Sequence, residues 1–368
     1  MTYLDHGATS FPKPAPVCRA VGEAMAVCAN PGRGSHAAAR MGAEVLFRCR
    51  EAAGELFRIR PDHVVLAQNC THGLNLAIRT LAGRGDRVVI SGFEHNAVTR
   101  PLHGIGARPA VAGRRLFDPE DTLRAFTRAL DAGAKCAVFT HVSNVFGYVL
   151  PVEELARECR KRGVPFILDA AQSAGAVPID FEGLGADFLA MPGHKGLLGP
   201  MGTGLLLCKR PPKPLLMGGT GSDSELQTMP AYLPDRAEAG TANVPGFAGL
   251  EAGIRMILEW GPETIGRHEA ALVAYTGEKL AKLGYEVFRG RDQLGTLSFR
   301  GRDDCQIIAD RLAAADIAVR AGLHCAPLAH KSAGTLDTGT VRISFGHDST
   351  MEDADSLLEK IEDISDQI

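Results

Sequence analysis

Short apolar runs alternate with helix-like segments between about residues 64 and 210. The runs lack the polar residue at every second position that a half-exposed strand would carry, so they indicate strands buried on both faces. Since helices cover both faces of parallel sheets, the pattern predicts a mostly parallel α/β sheet. The runs are 64–67, 87–91, 136–141, 164–169, 187–191 and 204–208, with helices predicted near Thr71, at 96–102 and at 151–160.

Beyond residue 240 the pattern changes to longer helical stretches separated by short strands. A helical stretch at 246–260 ends at Gly261 and Pro262, which are typical of a helix terminus. The remaining order predicts a smaller α+β domain, so we expect a large domain at 15–245 and a small domain formed by 1–14 and 246–368. Its predicted helices are at about 267–283, at 304–315 and from 350, and its strands are near 285–288, 294–299, 317–320 and 340–345.

Length, composition and charge fit two globular domains and exclude several classes of protein. The chain has 368 residues, of which 45% are hydrophobic and 23% charged, enough to bury a sizeable core. A net charge of −3 creates no field that attracts nucleic acid or membranes, and a basic stretch near 108–115 is too brief to bind nucleic acid. No apolar run approaches the roughly 18 residues of a membrane span, and the N-terminal residues do not resemble a secretory signal. We therefore expect a cytoplasmic protein with neither nucleic acid nor membrane as partner.

Nine cysteines occur along the chain, and no two of them form a Cys-x-x-Cys pair. This spacing excludes a disulfide-stapled scaffold and a structural zinc site, and we expect no bound metal. Cys136 and Cys208 lie in apolar runs and are typical of core residues. Cys325 lies among glycine, proline and polar residues, close in sequence to Arg320 and His324, which favours a partly exposed thiolate.

Polar residues follow five of the predicted strands, at the sheet edge where open α/β sheets bind ligands. Two of these polar residues, Asp169 and Lys195, indicate what kind of ligand could bind there. Asp169 ends an apolar strand, where a carboxylate needs a partner, and Lys195 lies near glycines that allow close approach of a planar ligand. An aspartate and a desolvated lysine are what pyridoxal phosphate requires, although a turn-capping aspartate or a surface lysine explains either residue alone. The clusters are Thr71 to Gly73, Glu94 to Asn96, Ser143 and Asn144, Asp169 to Gln172, and Gly193 to Lys195.

The other polar residues each have a functional and a simpler interpretation. Thr71 lies at a helix N-terminus that could bind a phosphate or only be capped. His95 could stack on a pyridine ring, or be an ordinary loop histidine. Gln172 could contact a phenolic oxygen of the cofactor, or only stabilise its turn. Arg342 alternates with apolar residues on a strand, where it could hold a carboxylate or face solvent.

These residues, in this order, resemble the class V aminotransferase family of fold-type-I pyridoxal-phosphate enzymes. They are most similar to group II cysteine desulfurases and selenocysteine lyases, and 192–200 with 322–327 resemble a bacterial cysteine-desulfurase-like branch. The likeness runs over nearly the whole chain. It rests on the segments 3–10, 30–36, 94–95, 141–144, 169–172, 193–195, 238–241 and 320–325.

The resemblance implies a role for each candidate residue. Lys195, Cys325 and His95 would be catalytic: Lys195 would bind the cofactor covalently and move the substrate's α-proton, and His95 would stack on the ring. Asp169 would keep the ring nitrogen protonated and Gln172 would contact the phenolic oxygen. The remaining roles are phosphate binding by Thr71, His72 and His194, phosphate binding in a second subunit by Thr241, which implies a homodimer, and substrate binding by Asn144, Arg342 and His36.

The activity implied by the resemblance is conversion of L-cysteine to L-alanine, with a persulfide on Cys325 passed to an acceptor protein. The alternatives are a selenocysteine lyase, another class V lyase or aminotransferase, and a non-enzymatic scaffold that binds a sulfur-transfer partner. Three positions depart from the family pattern. Pro192 replaces a serine that bonds the phosphate, Gly7 replaces an alanine, and Leu323 lies where group II enzymes often carry a histidine.

Overall fold

The computed structural model describes residues 1–32 and 34–365. The strands are β1 Thr2–Tyr3, β2 Val64–Ala67, β3 Arg87–Ser91, β4 Arg108–Ala112, β5 Cys136–Thr140, β6 Phe166–Asp169, β7 Phe188–Pro192, β8 Gly204–Cys208, β9 Glu286–Phe288, β10 Thr296–Arg300, β11 Ile317–Ala318, β12 Arg320–Gly322 and β13 Thr340–Ser344. The helices are α1 Ala15–Val27, α2 Ala37–Phe57, α3 Cys70–Leu81, α4 Asn96–Gly104, α5 Pro119–Asp131, α6 Val152–Lys161, α7 Phe181–Leu184, α8 Val244–Trp260, α9 Pro262–Lys282, α10 Cys305–Ala314, α11 Pro327–Ala333 and α12 Met351–Ser365.

The central sheet is mostly parallel, as the apolar runs predict. Within the described residues it has seven strands in the order β2-β8-β7-β6-β5-β3-β4. β8 runs antiparallel to both of its neighbours, and the other pairings are parallel. The strand order places the carboxyl ends of β5, β6 and β7 side by side at one edge.

Both faces of this sheet are buried, which explains the absence of alternating polar residues in the strands. Successive residues of one strand belong to opposite apolar clusters: Phe139 and Leu168 pack on one face, and Val138 and Ile167 pack on the other. The apolar residues of α8 join the first of these clusters. The fold class predicted from the sequence is therefore confirmed.

A smaller sheet carries the C-terminal part of the chain. Within the described residues it has four antiparallel strands in the order β12-β13-β10-β9 and packs against α10 and α12 through a third apolar cluster. The N-terminal segment joins this part, because β1 pairs with β11 and Leu4 lies in the same cluster. The exact domain boundaries expected from the sequence stay a prediction.

The basic stretch near 108–115 contains β4, which the apolar pattern did not predict. β4 is the outermost strand of the large sheet, and Arg108 and Pro109 on it are exposed. An edge strand needs no continuous apolar run, and proline is tolerated there. None of the helices in the described part of the chain combines the length and apolar character needed to cross a membrane.

Candidate active site

A cavity lies at the carboxyl ends of the central strands, where the five polar clusters meet. We call it the strand-end cavity. Of the predicted site residues, Thr71, His95, Asn144, Asp169, Gln172, His194 and Lys195 all line it. The other lining residues are Asn69, Cys70, Ala97, Thr140, Val142, Ala171 and Pro192.

Asp169 is the last residue of β6, and only 2% of its surface is exposed. Its Oδ1 accepts hydrogen bonds from the Ala171 N–H at 2.9 Å and from the Cys70 thiol at 3.6 Å. Burial raises the pKa of Asp169, and the Ala171 N–H, the charge of Lys195 and the Cys70 thiol oppose that rise. Its Oδ2 accepts no hydrogen bond from the described residues, so one carboxylate oxygen is free for a ligand.

Lys195 lies in the turn after β7, on the wall between the strand-end cavity and a second cavity lined by Glu269 and His347. Burial, followed by the charge of Arg342, lowers the pKa of Lys195 to about 8, and the charge of Asp169 opposes this shift. A larger fraction of neutral amine is therefore present near neutral pH than for an ordinary lysine.

The turn that carries Lys195 is held by the N-terminal segment. The carbonyl oxygen of His194 accepts hydrogen bonds from the Ser10 N–H at 3.0 Å, from Thr9 Oγ1 at 2.9 Å and from Lys13 Nζ at 2.9 Å. The His194 ring lines the strand-end cavity, and its buried Nδ1 has no hydrogen-bond partner among the described residues. Burial and the nearby charge of Lys195 lower the pKa of His194 to about 4, so its ring is neutral at neutral pH.

His95 caps α4 and presents a neutral ring to the strand-end cavity. Its Nδ1 accepts a hydrogen bond from the Ala97 N–H at 2.9 Å, which places the ring proton on Nε2. Burial, followed by the charge of Lys195, lowers the pKa of His95 to about 4. The ring is therefore held in one orientation and one tautomer.

Helix α3 begins at the edge of the cavity. Its N-cap residue Asn69 accepts a hydrogen bond from the His72 N–H at 2.8 Å, and Thr71 in the first turn is exposed to the cavity. The His72 side chain lies elsewhere: together with the exposed Thr241 it lines a surface groove, here called the Thr241 groove, which also includes Phe47 and Leu216. Within one chain, His72 and Thr241 therefore lie apart from Thr71 and His194, the other predicted phosphate ligands.

Arg342 lies at the centre of the small sheet, only 2% exposed, so the solvent-facing interpretation is wrong. Its Nη2 forms an ion pair with Asp5 Oδ1 at 2.6 Å, and its Nη1 donates to the Asn144 carbonyl oxygen at 3.1 Å. Its buried Nε has no hydrogen-bond partner among the described residues. Burial lowers the pKa of Arg342, and the charge of Asp5 opposes this effect. Arg342 does not itself line the strand-end cavity but is linked to it through Asn144.

Cys325 lies in a short loop between β12 and α11, which we call the Cys325 loop (residues 323–326). Of the nine cysteines, which all fall within the described residues, Cys325 and Cys18 are exposed. His324 and Cys325 have φ angles of 47° and 56°, a region that residues other than glycine rarely adopt. Two hydrogen bonds fasten the loop to the cavity: the Asn96 N–H donates to the Cys325 carbonyl oxygen, and Asn144 Nδ2 donates to that of His324, both at 2.8 Å.

The family model described as Aminotransferase class-V matches residues 2–357, nearly the whole chain. This chain belongs to the class-V aminotransferase family. Among curated members, it is 34% identical to a "Probable cysteine desulfurase" of Methanothermobacter thermautotrophicus, over 99% of this chain and 94% of the relative. It is 33% identical to the protein of the same name from Pyrococcus abyssi, over 98% of this chain and 94% of the relative.

Solved structures of class-V members share this fold. The apo structure of a cysteine desulfurase from Thermococcus onnurineus NA1 matches with a TM-score of 0.89 at 31% identity, over 100% of this chain and 95% of that one. The cysteine desulfurase CsdA of Escherichia coli matches with a TM-score of 0.87 at 25% identity, over 100% of this chain and 94% of that one. The family and the fold expected from the motifs are therefore confirmed.

Sequence reasoning did not single out Cys70, which lines the strand-end cavity, or Asp5, which pairs with Arg342. Both lie inside segments that it examined, directly before Thr71 and within the N-terminal motif at 3–10. Conversely, the structure does not bring His36 to the strand-end cavity. His36 is exposed and caps α2, where its Nδ1 accepts a hydrogen bond from the Ala39 N–H at 3.3 Å. Its predicted contact with substrate stays a prediction.

Proposed function

We propose that this class-V family member is a pyridoxal-phosphate-dependent cysteine desulfurase that converts L-cysteine to L-alanine and passes the sulfur, through a persulfide on Cys325, to an acceptor protein. The observation that carries the proposal is the fastening of the exposed Cys325 loop to a cavity that holds Lys195 and Asp169. The names of the relatives, which cover nearly the whole chain, support the same activity.

The residues of the strand-end cavity fit pyridoxal phosphate. Asp169 has one unengaged oxygen for the ring nitrogen, and Lys195 has an amine of lowered pKa for the aldehyde carbon. The N-terminus of α3 with Thr71 and the unpartnered Nδ1 of His194 suit a phosphate. His95 would stack on the ring, and Gln172 would contact its phenolic oxygen. When bound, the cofactor supplies an electron sink that stabilises a carbanion at the substrate's α-carbon.

Pro192 changes the phosphate site that the family pattern would provide. It lines the strand-end cavity at the end of β7 but offers neither a hydroxyl group nor an N–H. Phosphate binding would therefore rest on Thr71, His194, His72 and, from a second subunit, Thr241. We expect the affinity for the cofactor to depend more on these residues than in relatives that carry a serine.

Each catalytic residue of this chain has a defined task in the proposed reaction. Lys195, in its neutral form, takes the α-proton of the substrate. Arg342 and Asn144 orient the substrate carboxylate, and Arg342 has donors that neither Asp5 nor the Asn144 carbonyl oxygen uses, among them its unpartnered Nε.

Cys325 performs the sulfur transfer. Its thiolate attacks the sulfur of the substrate, so that an S–S bond forms and the C–S bond breaks. The electron pair of the C–S bond goes to the carbon, which takes up a proton and becomes the methyl group of alanine. The sulfur remains on Cys325 as a persulfide at the protein surface, where an acceptor protein can reach it.

A homodimer completes the proposal. Thr241 is exposed in the Thr241 groove. The exposed apolar side chains of Phe47 and Leu216 line the same groove, and the exposed Met217 follows Leu216 in the chain. An exposed apolar surface of this kind is typical of a subunit interface, and a twofold arrangement would let each Thr241 serve the site of the other subunit.

The test is the product balance from L-cysteine with the cofactor-loaded protein. We expect equal amounts of alanine and sulfide in the presence of a thiol reductant, and a mass gain of one sulfur atom on Cys325 in its absence. Cys325→Ser should abolish alanine formation from cysteine, whereas Cys18→Ser, which removes the other exposed thiol, should leave it unchanged.

Other product balances would contradict the proposal. Pyruvate in place of alanine would indicate β-elimination. Activity toward selenocysteine that survives Cys325→Ser, with little activity toward cysteine, would indicate a selenocysteine lyase. If the protein forms no borohydride-reducible chromophore with pyridoxal phosphate, it is not a cofactor-dependent enzyme and the scaffold alternative would hold.

A further inference from the structure

Cys70 stands apart from the other cysteines because it lines the strand-end cavity. It is the first residue of α3, and Asn69 caps that helix directly before it. Its side chain packs in the apolar cluster on one face of the central sheet together with Leu74, Ile167 and Leu206. From there the thiol donates a hydrogen bond to Asp169 Oδ1 at 3.6 Å, within normal range for sulfur.

This hydrogen bond makes the two oxygens of Asp169 unequal. Oδ1 accepts from both the Cys70 thiol and the Ala171 N–H, whereas Oδ2 accepts from none of the described residues. Donors directed at an ionised carboxylate favour its charged form and hold its rotamer. The buried carboxylate is thus anchored through one oxygen, and the other is left for a ligand.

We propose that Cys70 is a positioning residue for Asp169: its thiol holds Oδ1 so that the carboxylate stays ionised and keeps Oδ2 available for the ring nitrogen of the cofactor. This inference rests on the proposed function, because that function supplies the ring nitrogen. It gives Cys70 a task different from that of Cys325, since Cys70 acts through Asp169 and touches no sulfur of the substrate.

The environment of Cys70 suits a donor and not a nucleophile. Burial raises the pKa of the Cys70 thiol well above its ordinary value, and the negative charge of Asp169 raises it further. The proton therefore stays on sulfur at neutral pH. A protonated thiol can donate a hydrogen bond but attacks sulfur or alkylating agents poorly.

Cys208 provides a matched control. It belongs to the same apolar cluster and is also buried, but its thiol donates to the Leu206 carbonyl oxygen at 3.7 Å and does not contact Asp169. Cys70→Ala and Cys208→Ala therefore remove the same atom from the same cluster, and they differ in the contact with Asp169. Cys70→Ser restores a donor at the position of interest.

The experiment measures pyridoxal phosphate binding to the cofactor-free protein and the visible absorbance of the loaded protein as a function of pH. We expect Cys70→Ala to weaken cofactor binding by about threefold to tenfold, the range for losing one hydrogen bond. In this variant we expect the ring nitrogen to hold its proton less firmly and so to carry less positive charge. A weaker positive charge repels a proton at Lys195 less, so the midpoint of the absorbance change should move to higher pH. Cys70→Ser should stay close to wild type, and Cys208→Ala should match wild type in both measurements.

Three results would overturn the proposal, and they can be distinguished from one another. If wild type forms the chromophore but Cys70→Ala behaves like Cys208→Ala, Cys70 only fills space and the proposed function stands. If wild type forms no chromophore with pyridoxal phosphate, the proposed function fails and the role of Cys70 falls with it. Should Cys70→Ala fold poorly, a Cys70→Ser protein that loses both the affinity and the pH midpoint would also overturn the proposal.

Discussion

Asn144 Nδ2 donates a 2.8 Å hydrogen bond to the carbonyl oxygen of His324, the residue directly before Cys325. One side chain that lines the strand-end cavity thus also holds the loop that presents the exposed thiol. The loop needs this support, because His324 and Cys325 both have positive φ angles. The second N–H of the Asn144 amide is left for a substrate in the cavity, so one side chain can hold both the loop and a ligand.

We expect Asn144→Asp to loosen the Cys325 loop, because aspartate keeps the shape of asparagine but cannot donate to the His324 carbonyl. The loss of about 1 kcal/mol of local stabilisation should raise amide hydrogen exchange in peptides covering 320–330. Asn96→Ala is the control, since it removes a neighbouring asparagine side chain while the Asn96 N–H still donates to the Cys325 carbonyl oxygen. Equal exchange in both variants would show that Asn144 does not hold the loop.

The ion pair between Arg342 and Asp5 should contribute to stability because it compensates a buried charge. Asp5→Ala leaves the Arg342 guanidinium buried without its carboxylate, and we expect it to lower the free energy of unfolding by about 2 kcal/mol in a urea titration. Asp62→Ala removes the exposed pair with Arg60 and should cost less than about 0.5 kcal/mol. Similar losses in the two variants would contradict the assignment of Asp5 as the partner of a buried charge.

Glu269 lies on α9, lines the second cavity beside Lys195 and is buried, and burial raises its pKa to about 8. Between the ordinary carboxyl pKa and about 8, the folded state keeps a proton that the unfolded state has lost. The contribution of Glu269 to stability is therefore present at low pH and decreases as the pH rises through this window, by at most about 1.4 kcal/mol per pH unit.

Glu269→Gln should remove this dependence, because glutamine stays neutral in both states. The difference in the free energy of unfolding between the variant and wild type, measured from pH 5 to 8, should shift in favour of the variant as the pH rises, because the glutamate contribution is lost only in wild type. Glu263→Gln changes an exposed glutamate in the first turn of the same helix and should keep the wild-type slope. An unchanged slope in Glu269→Gln would show that this carboxyl is ionised in the folded protein.

The lowered pKa of Lys195 predicts how the protein takes up pyridoxal phosphate. Only the neutral amine attacks the aldehyde carbon, so the rate of incorporation into the cofactor-free protein should rise about tenfold per pH unit and level off above a pH of about 8. A rate that still rises toward pH 10 would mean that burial does not lower the pKa of this amine.

Lys13 is the necessary control for this profile, because burial also lowers its pKa to about 8 and its Nζ donates to the His194 carbonyl oxygen. Lys13→Met should keep the shape of the pH profile, whereas Lys195→Ala should abolish incorporation that borohydride can fix. A profile that flattens in Lys13→Met would assign the titration to Lys13.

Much of the fold could be predicted from local pattern alone. The apolar runs at 64–67, 87–91 and 204–208 coincide with β2, β3 and β8, because strands buried on both faces must be apolar throughout. β4 was not predicted, because it lies at the exposed edge of the sheet, where packing does not require a continuous run of apolar residues. α5 was not predicted either, although Asp118 and Pro119 are typical of a helix N-terminus.

The candidate site, like the fold, could be predicted only in part from the sequence. Strand ends are local features, and the sequence by itself determined that Asp169, Lys195 and His95 lie at one edge of a parallel sheet. Only the tertiary structure decided that the Cys70 thiol contacts Asp169, that Asp5 pairs with Arg342, and that Asn144 holds the Cys325 loop. The residues in these pairs are separated by 99, 337 and 180 positions in the chain, so neither periodicity nor motif spacing constrains their contact. Their contacts follow from how helix α3, the N-terminal segment and the small sheet pack around the strand ends, which is a property of the whole folded chain.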